Sequence, residues 1–434
     1  MSRLLLLITI VISFGSCKKD PVTDPATTNN TSTNNTNNNN AGSNQVLTSI
    51  SISDAISLVI TENNGVTNLL KTTNANAVEE VLYLDQSGDP MVDDPDIAHV
   101  YDLNSQYLIM TFNYVEDVGY LVRKTDGVVF DMAAAGGIPF FVFSGGQWGG
   151  PVNRPRIQSD ANGYIYYISG YDAPIIKADI SNPSAITGAV YTYADDQVRN
   201  FVVTPNGDVA YQSWGTLTGA RIKKVAGGYH SIPNDNFWVD LSGNINHAPD
   251  LYWDTQTQSN VFDVHNLAVN PTSGVVTETV TDVGIQVRTN YGPAYEFVFS
   301  DKVISANTNS ITNGFIEVDN VSGQVSLVTS YTIAGSLEYG DASNDYIYIL
   351  TQNGGDKVLT KINKDSYAAQ VLVAMNTDGY DIYEYSVDDA NVLTFYALRT
   401  SDGARVLGEI NAAGTISILS ATIANAVNQV QRIN

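Results

Sequence analysis

The residues best suited to hold a ligand are cationic and aromatic side chains beside glycine, proline and asparagine. Arg154, Arg156 and Arg199 stand out because the chain has only 21 Lys and Arg among 434 residues. Planar guanidinium groups bind carboxylate or sulfate through paired hydrogen bonds, so these three would form a cationic spot for an anionic ligand. The alternative is that each arginine pairs with an aspartate of a neighbouring element.

Aromatic and polar residues provide a second set of candidates. Trp148 lies in the glycine-rich stretch Ser144-Gly-Gly-Gln-Trp-Gly-Gly150, which predicts an exposed indole ring. An exposed aromatic face can stack on a sugar, so Trp148 is a candidate carbohydrate-binding residue, and a packing role is equally open. The remaining candidates stand at the start of predicted strands: His247, Tyr295, Glu296, Tyr380 and Asp381.

Metal and catalytic motifs are not apparent in the sequence. The histidines at 99, 230, 247 and 265 are not spaced as HxH or HxxxH, so we expect no locally assembled zinc site and no metal ligands. The GxSxG, Walker and HExxH motifs are absent, and we assign no catalytic residue. We expect no cofactor, with calcium left open at Asp93, Asp94 and Asp96; a solvated acidic loop is the alternative.

The elements that must position these residues are short strands. Apolar residues alternate in runs of four to seven, such as 164–168 and 346–350, with Gly, Asn, Asp and Pro between them. This pattern is typical of antiparallel strands and tight turns. A unit of strand, turn and strand recurs seven times, 42 to 57 residues apart, with second strands centred on Leu108, Ile165, Val209, Val261, Val303, Ile347 and Leu393.

Four strands per repeat of this length predict an all-β fold, a β-propeller of four-stranded antiparallel blades. Seven units predict seven blades. Residues 47–88 either supply the strand that closes the ring or add a unit, so six to eight blades stay open. In a propeller, the loops that lead into the innermost strands crowd around the central channel, and there we expect the candidate residues to meet.

The N-terminus predicts export. Arg3 and the apolar run 4–12 indicate a signal peptide over residues 1–16, and the run is too short to span a bilayer. Cys17, the only cysteine, follows Gly-Ser, and this stretch resembles a bacterial lipobox, which implies that Cys17 is lipidated. The start Cys-Lys-Lys-Asp resembles lipoproteins of the Bacteroidota, which implies the outer face of the outer membrane. Residues 17–46, rich in Asn and Thr, predict a disordered tether, and 47–434 the propeller domain.

Charge narrows the function classes. The formal charge is 21 − 45 = −24, which argues against nucleic-acid partners and against docking on anionic lipid through a basic patch. The aromatic loops, few histidines and missing catalytic motifs favour a binding module, for glycans or a cell-surface protein, over an enzyme. One alternative is an extracellular lyase acting on uronate-containing polysaccharide with a His/Tyr/Arg site, as in some propeller lyases. The other is a structural scaffold in an envelope complex, with an exposed apolar patch.

Overall fold

The protein is described here from a computed structural model, which covers residues 46–63, 66–75, 77–91, 97–112, 119–132, 157–168, 173–213, 219–232, 237–239, 242–247, 252–254, 259–286, 295–299, 301–307, 314–319, 325–420 and 422–433. The chain divides into residues 1–44 and residues 45–434, and the described residues belong to the second unit. In this described part, no helix has the length and apolarity needed to cross a bilayer.

The described part is almost entirely β-strand. The N-terminal strands are β1 Ser49–Ile50, β2 Ala55–Asn63, β3 Val66–Thr73, β4 Val78–Glu80 and β5 Tyr83–Leu84. The next sheet has β6 Ile97–Asp102, β7 Tyr107–Phe112, β8 Gly119–Arg123 and β9 Val129–Asp131. Then follow β10 Ile157–Ser159, β11 Tyr164–Ile168, β12 Ile175–Asp179 and β13 Thr187–Val190, and after them β14 Val198–Val203, β15 Val209–Ser213, β16 Gly219–Lys223 and β17 Tyr229–Ile232.

The C-terminal half continues the series. Its first sheet has β18 Phe237–Val239, β19 Ile245–His247, β20 Tyr252–Asp254, β21 Ser259–Val269 and β22 Val276–Gln286. The next has β23 Tyr295–Val298, β24 Lys302–Asn307, β25 Gly314–Asp319 and β26 Val325–Val328. The last are β27 Ser336–Ala342, β28 Tyr346–Asn353, β29 Asp356–Asn363, β30 Ala369–Ala374, β31 Tyr380–Val387, β32 Leu393–Arg399, β33 Arg405–Ile410, β34 Ile416–Ser420 and β35 Ala426–Arg432. A 3₁₀ turn spans Pro183–Ala185, and a one-turn helix, α1, spans Met375–Asp378.

Consecutive strands pair as antiparallel four-stranded sheets, the arrangement of a β-propeller. Within the described residues, seven sheets have four strands, one has five, and β1 pairs with β5 as a separate two-stranded sheet. The sequence marked seven repeat units. The further sheet combines β35 with β2, β3 and β4, so the N-terminal segment contributes three strands to it and the C-terminal segment contributes one.

Strand sequences are apolar on both faces because each sheet packs between two others. In β28, Ile347 and Ile349 point to the core shared with the β23–β26 sheet. Tyr348 and Leu350, on the opposite face, belong to the core shared with the β31–β34 sheet. One alternating strand therefore contributes to two hydrophobic cores, which explains why the whole run 346–350 is apolar or aromatic.

The five-stranded sheet departs from the predicted repeat. The sequence suggested residues 249–264 as the leading hairpin of this unit, but the structure places β18 and β19 first. The strands β21 and β22, each of eleven residues, form a hairpin, and residues 265–267 of β21 also pair with β19. Among the described residues, no other repeat has a hairpin with two strands this long, so the average spacing of the repeats could not reveal it.

A β-bulge recurs in the first strands of five sheets. The register shifts by one residue in β6, β14, β27, β31 and β35. The extra residues are Ala98, Arg199, Glu338, Tyr383 and Asn428. Because a bulge bends the strand and re-aims the side chains that follow, this device sets which residues of the first strands face the channel.

Side-chain contacts tie the first strands of neighbouring sheets together. The Gln429 amide accepts from the Val100 N–H at 3.0 Å and donates to its carbonyl at 2.7 Å. Gln158 makes the equivalent pair of bonds to the backbone of β14, accepting from Val203 at 3.0 Å and donating to Phe201 at 2.8 Å. These bonds satisfy backbone groups that would otherwise be unpaired edges of each sheet.

Candidate functional site

A cavity of about 570 Å³ opens between the first strands β6, β27, β31 and β35. Carboxylate, amide and hydroxyl side chains dominate its lining, and no Lys, Arg or His is among the lining residues that the structure describes. The side chains that define its chemistry are Asp102, Tyr339, Asp341, Glu384, Ser386 and Asp389. A cavity of this size is in the range that holds small ligands, and its lining offers mainly hydrogen-bond acceptors.

Glu384 is the distinctive group of this cavity. It follows the bulge at Tyr383, which turns it into the cavity. Within the described part of the chain, its carboxylate has neither a hydrogen-bond nor an ion-pair partner. Burial raises the pKa of Glu384 to about 7, because no neighbouring donor compensates the lost hydration. At neutral pH, Glu384 is therefore present both as the protonated acid, which can donate a hydrogen bond, and as the carboxylate, which can only accept.

Asp341 lies on the neighbouring strand and has a different role. Its carboxylate accepts from the backbone N–H groups of Val387 at 3.0 Å and Ala342 at 2.8 Å. The bond from Val387 links β27 to β31, whereas the bond from Ala342 is local to β27. Burial still raises the pKa of Asp341 to about 6, since its effect exceeds that of the two hydrogen bonds.

The other two carboxylates complete an acidic lining. Asp102 forms an ion pair with Lys124, a mostly buried side chain outside the lining, while Asp389 is exposed. The lining thus carries four carboxyl groups, and Lys124 pairs with that of Asp102. This arrangement accepts hydrogen bonds from hydroxyl or ammonium groups and repels anions.

The structure describes only part of the predicted site. Cys17, Trp148, Arg154 and Arg156 lie outside the described residues, as do Asp93, Asp94 and Asp96 of the calcium candidate. Arg199 is the bulge residue of β14, and Tyr295 and Glu296 begin β23; for these three only the backbone is described.

Tyr380 and Asp381 have partners within the fold and do not line the cavity. The Tyr380 ring packs edge-on against Phe395, with centroids 6.2 Å apart. Asp381 accepts from the Tyr383 hydroxyl at 2.8 Å and pairs with Lys357 Nζ at 2.9 Å. Both residues stand at the start of β31, whereas the cavity is lined by its second half.

His247 lies away from the channel. It ends β19, the second strand of its sheet, and only 1 % of its surface is exposed. Its ring stacks on His265, with centroids 4.8 Å apart. Burial lowers the pKa of His247 to about 4; repulsion by His265 and His230 contributes, and attraction to Glu278 opposes it. The sequence analysis considered His265 but did not connect it or Glu278 with His247, because no short motif links the three residues.

Comparisons with known proteins assign no function to this chain. No family model and no curated protein matches the chain. The chain is similar to dipeptidyl peptidase 4 of Porphyromonas gingivalis, with 10 % identity over 77 % of this chain and 54 % of that one, and a TM-score of 0.49. It therefore spans about half the length of that protein.

Two other similar structures have different activities. The dihydro-heme d1 dehydrogenase NirN is 9 % identical over 89 % of this chain and 75 % of that one, with a TM-score of 0.47. An oligogalacturonate lyase in complex with manganese is 9 % identical over 84 % and 85 %, with a TM-score of 0.40. One fold can host many unrelated functions in general, so the function is argued below from the residues of the site.

Proposed function

We propose that this protein is a binding module, anchored by a lipidated Cys17 at the cell surface, that holds a neutral glycan in the channel cavity. The observation that supports the proposal is the lining of this cavity of about 570 Å³: its described residues include four carboxyl groups with hydroxyl and amide side chains and no basic residue. Sugar hydroxyls donate to carboxylates and exchange hydrogen bonds with amides and hydroxyls. A neutral, hydroxyl-rich ligand therefore matches this cavity.

The same lining disfavours the polysaccharide-lyase alternative. A uronate-containing chain would bring carboxylates beside Asp341, Glu384 and Asp389, and like charges in a partly desolvated cavity repel. A lyase site would also require a basic residue for the substrate carboxylate, and the described part of the chain contributes none to this lining.

The scaffold alternative depends on an exposed apolar patch. In the described part, several exposed apolar side chains stand on the last strands of different sheets, namely Val190 on β13, Val280 on β22, Val371 on β30 and Ile418 on β34. Apolar side chains scattered singly over a surface are ordinary and do not call for a partner. This distribution supports no large docking face.

The test is glycan binding by the purified full chain, with neutral and uronate-containing oligosaccharides in parallel. Glu384→Ala should weaken binding of a neutral glycan about 10- to 100-fold, the effect of losing a hydrogen bond to a charged group. The fold should survive because Glu384 has no partner in the described structure. Glu338→Ala is the matched control: this exposed glutamate on β27 accepts a hydrogen bond from the Ser336 hydroxyl at 3.0 Å and lies outside the lining.

The outcomes separate the alternatives. Neutral glycans bound in preference to uronates, with loss in Glu384→Ala alone, would support the proposal. Tighter binding of uronates, or equal effects of the two variants, would contradict it. If no glycan binds, the glycan proposal is wrong, and a cell-surface protein that inserts a cationic side chain becomes the preferred ligand of the cavity.

A further inference from the structure

Three of the four histidines in the chain belong to one junction between two sheets. His247 on β19 lies directly across from His265 on β21, and their rings stack. His230 is on β17, the last strand of the preceding sheet. It is close enough to contribute to lowering the pKa of both His247 and Glu278. Histidines are rare in this protein, so their convergence calls for a physical explanation.

Strand register brings a carboxylate to the same place. Glu278 on β22 pairs with Leu267, which is two residues beyond His265 on β21. Alternate residues of a strand share a face, so His247, His265 and Glu278 all point to the same side of the sheet. One donor atom from each of these residues lies within 4.8 Å of the other two.

That side faces the neighbouring sheet. Ile245 and Leu267, on the same face as His247 and His265, pack in one core with Ile222 and Ile232 of the β14–β17 sheet. His230 alternates with Ile232 along β17 and so shares its face. The polar cluster therefore lies between the same two sheets, at the edge of the apolar core that they share.

The cluster contains an unsatisfied ligand atom. His247 is buried, and its Nδ1 has no hydrogen-bond partner among the described residues. A buried polar atom without a partner typically costs about 1–3 kcal/mol of stability. If nothing bound to His247, an apolar residue at this position would make the fold more stable. A metal ion binds both imidazole nitrogens and carboxylates, so one ion would give His247 Nδ1 the partner that it lacks.

Access and ligand type also fit an ion. The His265 and Glu278 side chains are 20 % and 50 % exposed, which leaves a path from solvent. His265 Nδ1 lies 2.5 Å from Glu278 Oε1, so the two groups are already in contact. Imidazole and carboxylate donors suit Zn²⁺, which holds nitrogen ligands at about 2.0–2.1 Å, and tetrahedral ligands then lie about 3.3 Å apart. The donors must approach by rotamer adjustment from their present maximum of 4.8 Å.

We infer that His247, His265 and Glu278 form a Zn²⁺-binding site at the junction of the β14–β17 and β18–β22 sheets, with His230 facing the ion from the neighbouring sheet. Three protein ligands leave a fourth position, which His230 or water occupies. The ion would neutralise repulsion among the imidazoles and join two sheets. The site is separate from the channel cavity and does not depend on the ligand proposed for it.

The experiment uses the full chain, stripped with chelator and titrated with ZnCl₂ in competition with a chromophoric chelator. We expect one equivalent of Zn²⁺ per chain. His265→Ala and Glu278→Gln should each weaken binding at least about tenfold, the scale of losing a metal-site contact. His99→Ala is the matched control, because it removes the one histidine outside the cluster. Glu278→Gln alters a half-exposed residue, so it should leave the fold intact, which circular dichroism checks.

A second measurement reads the site directly. Co²⁺ added to the stripped chain should give the visible absorption of a tetrahedral nitrogen and oxygen site, and this spectrum should disappear in His265→Ala. The unfolding temperature of the wild-type chain should rise with free Zn²⁺, since binding to the folded state alone stabilises it. Absence of one-to-one binding, or equal affinity in wild type and His265→Ala, would overturn the inference.

Discussion

Arg432 offers the sharpest test of how the ring is held closed. It lies on β35, and its side chain is 4 % exposed. The guanidinium donates to Asp388 at 3.0 and 2.5 Å, to Glu409 at 3.0 Å and to Thr394 at 3.0 Å. One cation therefore connects the closing strand with β32, β33 and the turn between β31 and β32 of the preceding sheet. We predict that Arg432→Met, which keeps the apolar stem, destabilises the protein severely.

The magnitude follows from what the substitution leaves behind. Asp388 and Glu409 are 12 % and 20 % exposed, so two mostly buried carboxylates lose their counter-charge. Breaking a buried ion pair by removing one partner costs about 3–5 kcal/mol. The matched control is Arg399→Met, because Arg399 pairs with Asp402 at similar distances but with side chains 34 % and 49 % exposed. An exposed pair contributes about 0.2–1 kcal/mol.

The assay is urea unfolding of both variants and wild type at pH 7, followed by far-ultraviolet circular dichroism. Adding Asp388→Asn to Arg432→Met should recover part of the loss, because it removes one uncompensated charge. If Arg432→Met costs no more than Arg399→Met, the buried network does not hold the ring. If Asp388→Asn brings no recovery, the loss arises from packing rather than from charge.

Two further predictions concern pH and backbone strain. The folded-state pKa of Glu384, about 7, exceeds its ordinary value of 4.5, so its stabilising contribution is complete below pH 4.5 and is lost as the pH rises through 7. Glu384→Gln should remove this loss, which is roughly 3 kcal/mol at most. If the free energy of unfolding changes with pH in the same way for both proteins between pH 4.5 and 8, the prediction is wrong. At Gly335 (φ +86°) a Cβ would lie 2.1 Å from a backbone oxygen, whereas at Gly163 (φ +82°) nothing lies within 4 Å. Alanine should therefore cost about 1 kcal/mol at Gly163 and clearly more at Gly335 in thermal unfolding, and equal costs would refute the clash.

The strands and the fold could be predicted because they follow from local rules. The alternating run 346–350 is β28, and the turn Asp160-Ala-Asn-Gly163 joins β10 to β11 as its residue types require. Asp160 accepts from the backbone N–H groups of Asn162 and Tyr164, which is the local bond that favours such turns. Local signals of this kind recur along the chain, so the class of fold was accessible from the sequence.

The cavity could not be predicted, because its chemistry depends on register. The bulge at Tyr383 decides that Glu384 faces the cavity, and nothing in the alternation of β31 marks it. The histidine cluster was missed for a related reason. His230, His247 and His265 are 17 and 18 residues apart, spacings that form no motif, and only the long β21–β22 hairpin brings them together with Glu278.

The pairing of β35 with β2 has a consequence for how the chain is made. Asn428 and Glu62, hydrogen-bonded across these strands, are separated by 366 positions. Until residue 432 has been synthesised, β2 presents an open edge that another chain could pair with. The order of synthesis thus leaves this edge of β2 unpaired while the sheets between β2 and β35 are being made. It also makes β35 the segment that two copies would exchange if they formed a domain-swapped dimer.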